Sequence, residues 1–229
     1  MFSFPHYTLK PQTLNEVLLA KAGASATRSV RIGQQEWMAA NLSVPVFRNG
    51  DPIAVINDLD TWSQTREPAM CCYSGDTGLS ELYGYLYNWY AVTDPRGLAP
   101  EGWRVPADQD WNALIDAVGG DRYAGTVLKM KNTPLWKSPN YNAHDMVGFG
   151  ALAGGYRDMY GVYHCLRSYG YYWSSTLCRK NFAWCRRFGY SEAIVQRLTS
   201  VVGSAMSVRC VRDISQGRPL EFLDIGEGI

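Results

Sequence analysis

A chain of 229 residues, 46% of them hydrophobic, can bury one core of about 180 residues with short extensions at either end. A formal net charge of +1 supplies no bulk attraction for nucleic acid, and no apolar run approaches the roughly 20 residues that cross a bilayer. Neither a nucleic-acid partner nor a membrane span is therefore expected.

Residues 1–29 read as an extension. Thr13-Leu14-Asn15-Glu16 has the spacing of a capping box, and Leu14, Val17 and Leu18 followed by Gly23 predict a short helix whose apolar face needs a partner on the domain or on another subunit. The first ten residues lack the basic start and apolar centre of a secretory leader. Arrival at a surface would need a carrier assembly or a leader already removed. Residues 30–47 predict strand, a bend at Asn41-Leu42, and strand again. An aromatic segment, 83–90, precedes the clearest helix, 108–118. There Trp111, Leu114, Ile115 and Val118 repeat at helical spacing, acids fill the first turn, and Gly119-Gly120 stop it. A second short helix is predicted over 123–131, followed by loops rich in Gly, Pro and Asn over 132–150. Two helices among short strands and long loops give a single α+β domain over 30–213. The core is expected to include Trp89, Trp103, Trp111, Trp173 and Val208. Residues 214–229 form an acidic tail, with Phe222, Leu223 and Ile225 available to dock.

Two orderly segments, 170–176 and 207–213, bracket a stretch with neither alternation nor helical spacing. Charge is asymmetric too. Residues 160–212 hold eight Lys/Arg and one acid (net +7), residues 1–159 are net −3 and residues 213–229 net −3, which sum to +1. That excess would favour anionic ligands by its local field, the alternative being that arginine stands there only as a common, soluble residue.

No catalytic constellation is legible. Asp108 and Asp110 sit where a helix dipole favours acids, Asp58 and Asp60 lack a partner motif, and Gly154-Gly155-Tyr156-Arg157 lacks the Lys-Ser/Thr ending of a phosphate loop. Ser174 and Ser175 lack nucleophile-elbow glycines. The spacing Cys178-x6-Cys185 is no zinc signature, and His6, His144 and His164 do not cluster with cysteine. No metal or other cofactor is expected.

Ile32-Gly33-Gln34-Gln35-Glu36-Trp37-Met38-Ala39-Ala40-Asn41-Leu42 resembles the opening of the Fibrobacter succinogenes major paralogous domain family. Leu86-Tyr87-Asn88-Trp89-Tyr90-Ala91-Val92, Pro100-Glu101-Gly102-Trp103-Arg104-Val105-Pro106 with Trp111, Phe149-Gly150-Ala151-Leu152-Ala153-Gly154-Gly155-Tyr156-Arg157 and the two bracketing segments follow in the family's order. The resemblance implies a C-type-lectin-like fold, related to formylglycine-generating enzymes and to the variable proteins of diversity-generating retroelements. The enzymes use a closely spaced cysteine pair near the C-terminus. Cys210 matches a frame cysteine, but no such pair is present, so the expectation is no enzyme.

In the retroelements, adenines of a template are miscopied, so AAC codons become NNC codons, which never encode Trp, Met, Lys, Gln or Glu. Residues 182–205 contain no Asn, and Trp173, Trp184, Glu192, Gln196 and Met206 would be fixed framework. The variable, ligand-binding positions expected over about 160–205 start with Tyr163, His164, Arg167 and Tyr169. They continue through Cys178, Arg179, Cys185, Arg187, Tyr190, Ser191, Ala193, Val195, Arg197 and Leu198 to Ser200, Val201, Val202 and Ser204. Alternation predicts Ser191, Ala193, Val195 and Arg197 outward, with Glu192, Ile194 and Gln196 turned away. Tyr and Arg would anchor binding. The resemblance thus implies a protein that displays a diversified surface from a phage tail fibre or bacterial cell surface and binds a protein or glycan. An undiversified structural paralogue and an oxidase are the alternatives.

Overall fold

Gly33, at φ 59°, lets the chain double back at its first described turn. The computed structural model describes residues 28–214. That turn joins β1 (Ser29–Ile32) to β2 (Gln35–Met38). There follow β3 (Ala54–Val55), α1 (Leu59–Gln64), β4 (Ala69–Cys71), α2 (Thr77–Tyr83), β5 (Leu86–Asn88) and α3 (Trp89–Val92). The helical pair is α4 (Asp108–Ala117) and α5 (Asp121–Leu128). The rest is strand: β6 (Tyr156–Arg157), β7 (Tyr163–His164), β8 (Tyr169–Arg179), β9 (Phe182–Gly189), β10 (Val195–Val201), β11 (Ala205–Met206) and β12 (Val211–Asp213). The expected N-terminal helix, and the tail beyond Ile214, lie outside the described residues.

The α+β class is what the strands and helices form. The sheets run β1-β2-β12, β10-β9-β8, and β3-β4-β5-β11-β6-β7. All strand pairs are antiparallel except β3 with β4. β12 pairs with β2, so the two ends of the described chain close one sheet. The Tyr172↔Ser207 bridge ties β8 to the segment after β11.

Both predicted helices are present. α4 buries Trp111, Leu114 and Ile115 on the stripe that its spacing predicts. The second helix starts and ends earlier than expected, at 121 and 128. Three short helices were not predicted, because four to seven residues are too few for a periodic signal. Their start signals are side chains: Asp58, Asp76 and Asn88 each accept a backbone N–H as an N-cap. Trp111, Trp173 and Val208 are fully buried, whereas Trp89 and Trp103 are only half-buried at the edge of the core. The Trp89 indole donates to the carbonyl of buried Ser174, and exposed Arg212 lies 4.6 Å above the Trp103 ring.

Buried cations fix the loops through main-chain carbonyls. Lys129 Nζ donates to Tyr141, Gly189 and Glu192 at 2.8–2.9 Å. The Arg157 guanidinium donates to the carbonyls of Ile56, Asn57, Asp58 and Gly161. Arg209 donates to Asn41 Oδ1 and to the carbonyls of Met38, Phe149 and Gly150. Bonds of this kind hold a backbone path whatever side chains the loop carries.

β8 runs hard against the preceding loop at Gly170. A Cβ there would lie 2.2 Å from the Leu152 carbonyl oxygen, and neither backbone can give way cheaply. Gly170→Ala is expected to cost about 1–3 kcal/mol by overpacking, measured by urea unfolding. An unchanged midpoint would mean that the loop is not held against the strand.

Candidate functional site

The β8–β9–β10 sheet presents two unlike faces. Cross-strand partners share a face, and one row is Tyr172, Arg186 and Arg197. Two arginines side by side would repel, but Asp108 at the start of α4 bonds both. Its Oδ1 accepts from Arg186 Nη1 and its Oδ2 from Arg197 Nη2, each at 2.7 Å. Burial pushes the Asp108 carboxyl up, but the bonds from Arg197 and Arg186 outweigh it and hold the group below its ordinary value. Arg197 also lies 3.4 Å over the Trp184 ring. This face belongs to the packing against α4 and α5.

The opposite face carries Tyr171 and Gln196 on either side of Arg187, with Trp173, Cys185 and Leu198 in the next row. β6 and β7 extend it with Tyr156 and His164, stacked at 5.0 Å. The rings continue from Tyr156 to Tyr171 at 4.8 Å, to Tyr169 at 6.2 Å and to Tyr190 at 6.4 Å. Cations cover one end, with Arg187 4.6 Å from the Tyr169 centroid and Lys137 Nζ 5.2 Å from that of Tyr190. Glu192 accepts from Arg187 at 3.0 Å. At the other end His164 Nε2 lies 2.8 Å from Asp158 Oδ2. Burial pushes the Tyr171 phenol up to about 12, with Cys165 close by. The result is a half-exposed aromatic row with polar tips and fixed charges at both ends, suited to non-covalent recognition.

The expected binding positions divide. His164, Tyr169, Arg187 and Tyr190 meet in this row, and Arg167 and Ser191 are exposed. Cys178 and Arg179 sit at the exposed tip of the β8–β9 hairpin. Ala193, Leu198, Ser200 and Val201 are half-buried along or beside β10. Tyr163 is half-buried too, but it alternates with His164 and turns to the reverse side of β7, against Tyr73 and Arg157.

Cys185, Val195, Val202 and Ser204 are buried, against expectation. Cys185 pairs with Trp173 beneath the aromatic row. Val195 joins the core of Trp111 and Phe188, because the chain turns before β10 begins and the alternation expected from Ser191 onward breaks. Glu192, Ile194 and Gln196, expected to turn away, are half-buried. Arg197 is exposed as expected, but its guanidinium is engaged by Asp108. Sequence reasoning missed Tyr156, Tyr171, Lys137 and Asp158. The available signal for Tyr171 was its position in the orderly segment, two residues after Tyr169.

A sequence model described as the Fibrobacter succinogenes major domain matches residues 30–212. The chain belongs to this family. No curated protein and no solved structure matches the chain. The Fibrobacter succinogenes major domain therefore runs from β1 to β12, the two strands that close the terminal sheet, and the aromatic face lies wholly inside it.

Proposed function

We propose that this Fibrobacter succinogenes major domain is a non-enzymatic ligand-binding module of C-type-lectin-like fold, the variable protein of a diversity-generating retroelement. It is carried on a virion tail fibre or bacterial surface assembly and binds a protein or glycan through the face of β6 to β10. The observation that carries this reading is the convergence of His164, Tyr169, Arg187 and Tyr190 on one half-exposed aromatic row, over a backbone that buried cations hold through carbonyls. Loops held by a rigid scaffold are where binding residues gather, and multivalent display raises weak single-site affinity.

Against an oxidase, the cysteines that such chemistry would call on are badly placed. Burial pushes the Cys185 and Cys210 thiols up to about 12, and Cys178 is exposed on a hairpin tip. The undiversified paralogue is favoured by one observation: Cys185, Val195 and Val202 are packed in the core, where free replacement would be costly.

The test exchanges Arg167, Arg179, Tyr190 and Ser191 for Asn or Ser together and measures retention on intact bacterial cells beside thermal melting. Surface changes away from packing, as at Arg167, Arg179 and Ser191, cost about 0.5 kcal/mol each, and Tyr190, packed against the edge of the core, adds somewhat more. The melting temperature is expected to move by only a few degrees while retention is lost. Retention equal to that of the parent chain would remove this face as the binding surface.

A further inference from the structure

Among the described residues β10 is an edge strand with no strand paired on its outer side. It pairs with β9 alone. Among the described residues no main-chain group from 195 to 200 bonds anything but β9, and the Val201 carbonyl is taken by Ser204. A cleft of about 710 Å³ runs beside that edge, between residues 194–198 and the corner where α4 passes into α5. An unpaired edge strand facing a helical wall is the geometry in which an extended peptide adds as one more strand.

The charges around the cleft select the peptide. On the strand wall the Arg186 and Arg197 head groups both lie on Asp108, and Arg197 is also stacked on Trp184. On the helical wall the Asp116 and Asp121 carboxylates are exposed and make no side-chain hydrogen bond or ion pair among the described residues. Two arginines against three aspartates (108, 116 and 121) leave −1, and the carboxylates of the helical wall are the groups left open.

We infer that the outer edge of β10 is a docking site for an extended, basic peptide segment of a partner protein, which adds antiparallel or parallel to β10 and sets Lys or Arg side chains against Asp116 and Asp121. Main-chain pairing does not read side chains. The edge therefore serves whatever residues stand at 195–201, and the inference does not depend on diversification or on the aromatic face, which lies on the other side of the sheet. Such an edge suits attachment to a carrier and leaves the ring row free.

The probe is an acetylated, amidated heptapeptide of sequence Lys-Thr-Lys-Val-Lys-Thr-Lys, tested on the full chain by amide hydrogen exchange and titration. It is expected to slow exchange at amides within 195–201 by about tenfold or more. Copies with Glu in place of Lys, or N-methylated throughout, are expected to leave exchange unchanged. The exposed-site double variant D116N/D121N is expected to weaken binding about fivefold to tenfold, the scale of two solvent-exposed ion pairs. The inference is overturned if the basic peptide gives no protection at 195–201, or if the Glu or N-methylated copy protects equally. It is also overturned if the chain alone protects these amides as its concentration rises, since the occupant would then be a second copy.

Discussion

Replacing Asp108 by alanine is expected to lower the unfolding free energy by about 3–5 kcal/mol, the cost of leaving a buried charge without its partner. Arg186 has a fully buried side chain, and Asp108 supplies its only ion pair among the described residues. Arg197, with a side chain 45% exposed, can turn to water, so Arg197→Ala is expected to cost less than about 1 kcal/mol. Chemical denaturation of the two variants separates these values, and equal costs would mean that Asp108 acts only as a helix-start acid. The same carboxylate sets a pH dependence. Its folded pKa is depressed, so its contribution is complete above the unfolded value near 4 and is lost as pH falls through the lower folded one. The alanine variant should lack that acid-side decline.

Trp111→Ala is expected to cost about 3–5 kcal/mol and to lower the melting temperature by roughly 10 °C or more. Its ring lies 4.9 Å from that of Trp37, 5.8 Å from Tyr172 and 6.2 Å from Phe149, and its indole N–H donates to the Trp173 carbonyl at 3.2 Å. Removal opens a cavity where α4 meets β2 and β8, and leaves a buried acceptor without its donor. Trp103→Ala, at the half-exposed rim, is expected to cost clearly less. Equal melting shifts for the two would contradict the burial that separates them.

α4 was legible because its stripe and its stop lie within eleven residues, and the bonds that use its acids were not. Asp108 and Asp110 stand where the dipole favours them, yet Asp108 also bonds Arg186 and Arg197, and Asp110 bonds Arg104 and Gln35. Arg104 lies six residues from Asp110, but the other three partners, 75 to 89 residues away, leave no trace in local spacing. The basic excess of 160–212 misled for the same reason. Arg186, Arg187, Arg197 and Arg212 pair with acids, and Arg209 is sealed among carbonyls, so little of that charge is free to attract an anion. On β10 Val195 and Arg197 share a face as alternation requires, but that face packs toward α4 and α5, so Val195 is buried while Arg197 reaches solvent. The aromatic row was half legible: its tyrosines lie in short segments that alternate, but the join of β6 to β8 is made by tertiary contact.

The claim that this face is diversified is tested most directly by sequencing the DNA that flanks the gene. A near-copy of codons 160–212 is expected beside a reverse-transcriptase gene, with adenine-bearing codons at the positions of Tyr169, Arg187 and Tyr190 and matching codons at Trp173, Trp184 and Met206. A flanking region with neither the copy nor the reverse transcriptase, or a copy whose differences fall on the framework codons, would contradict it.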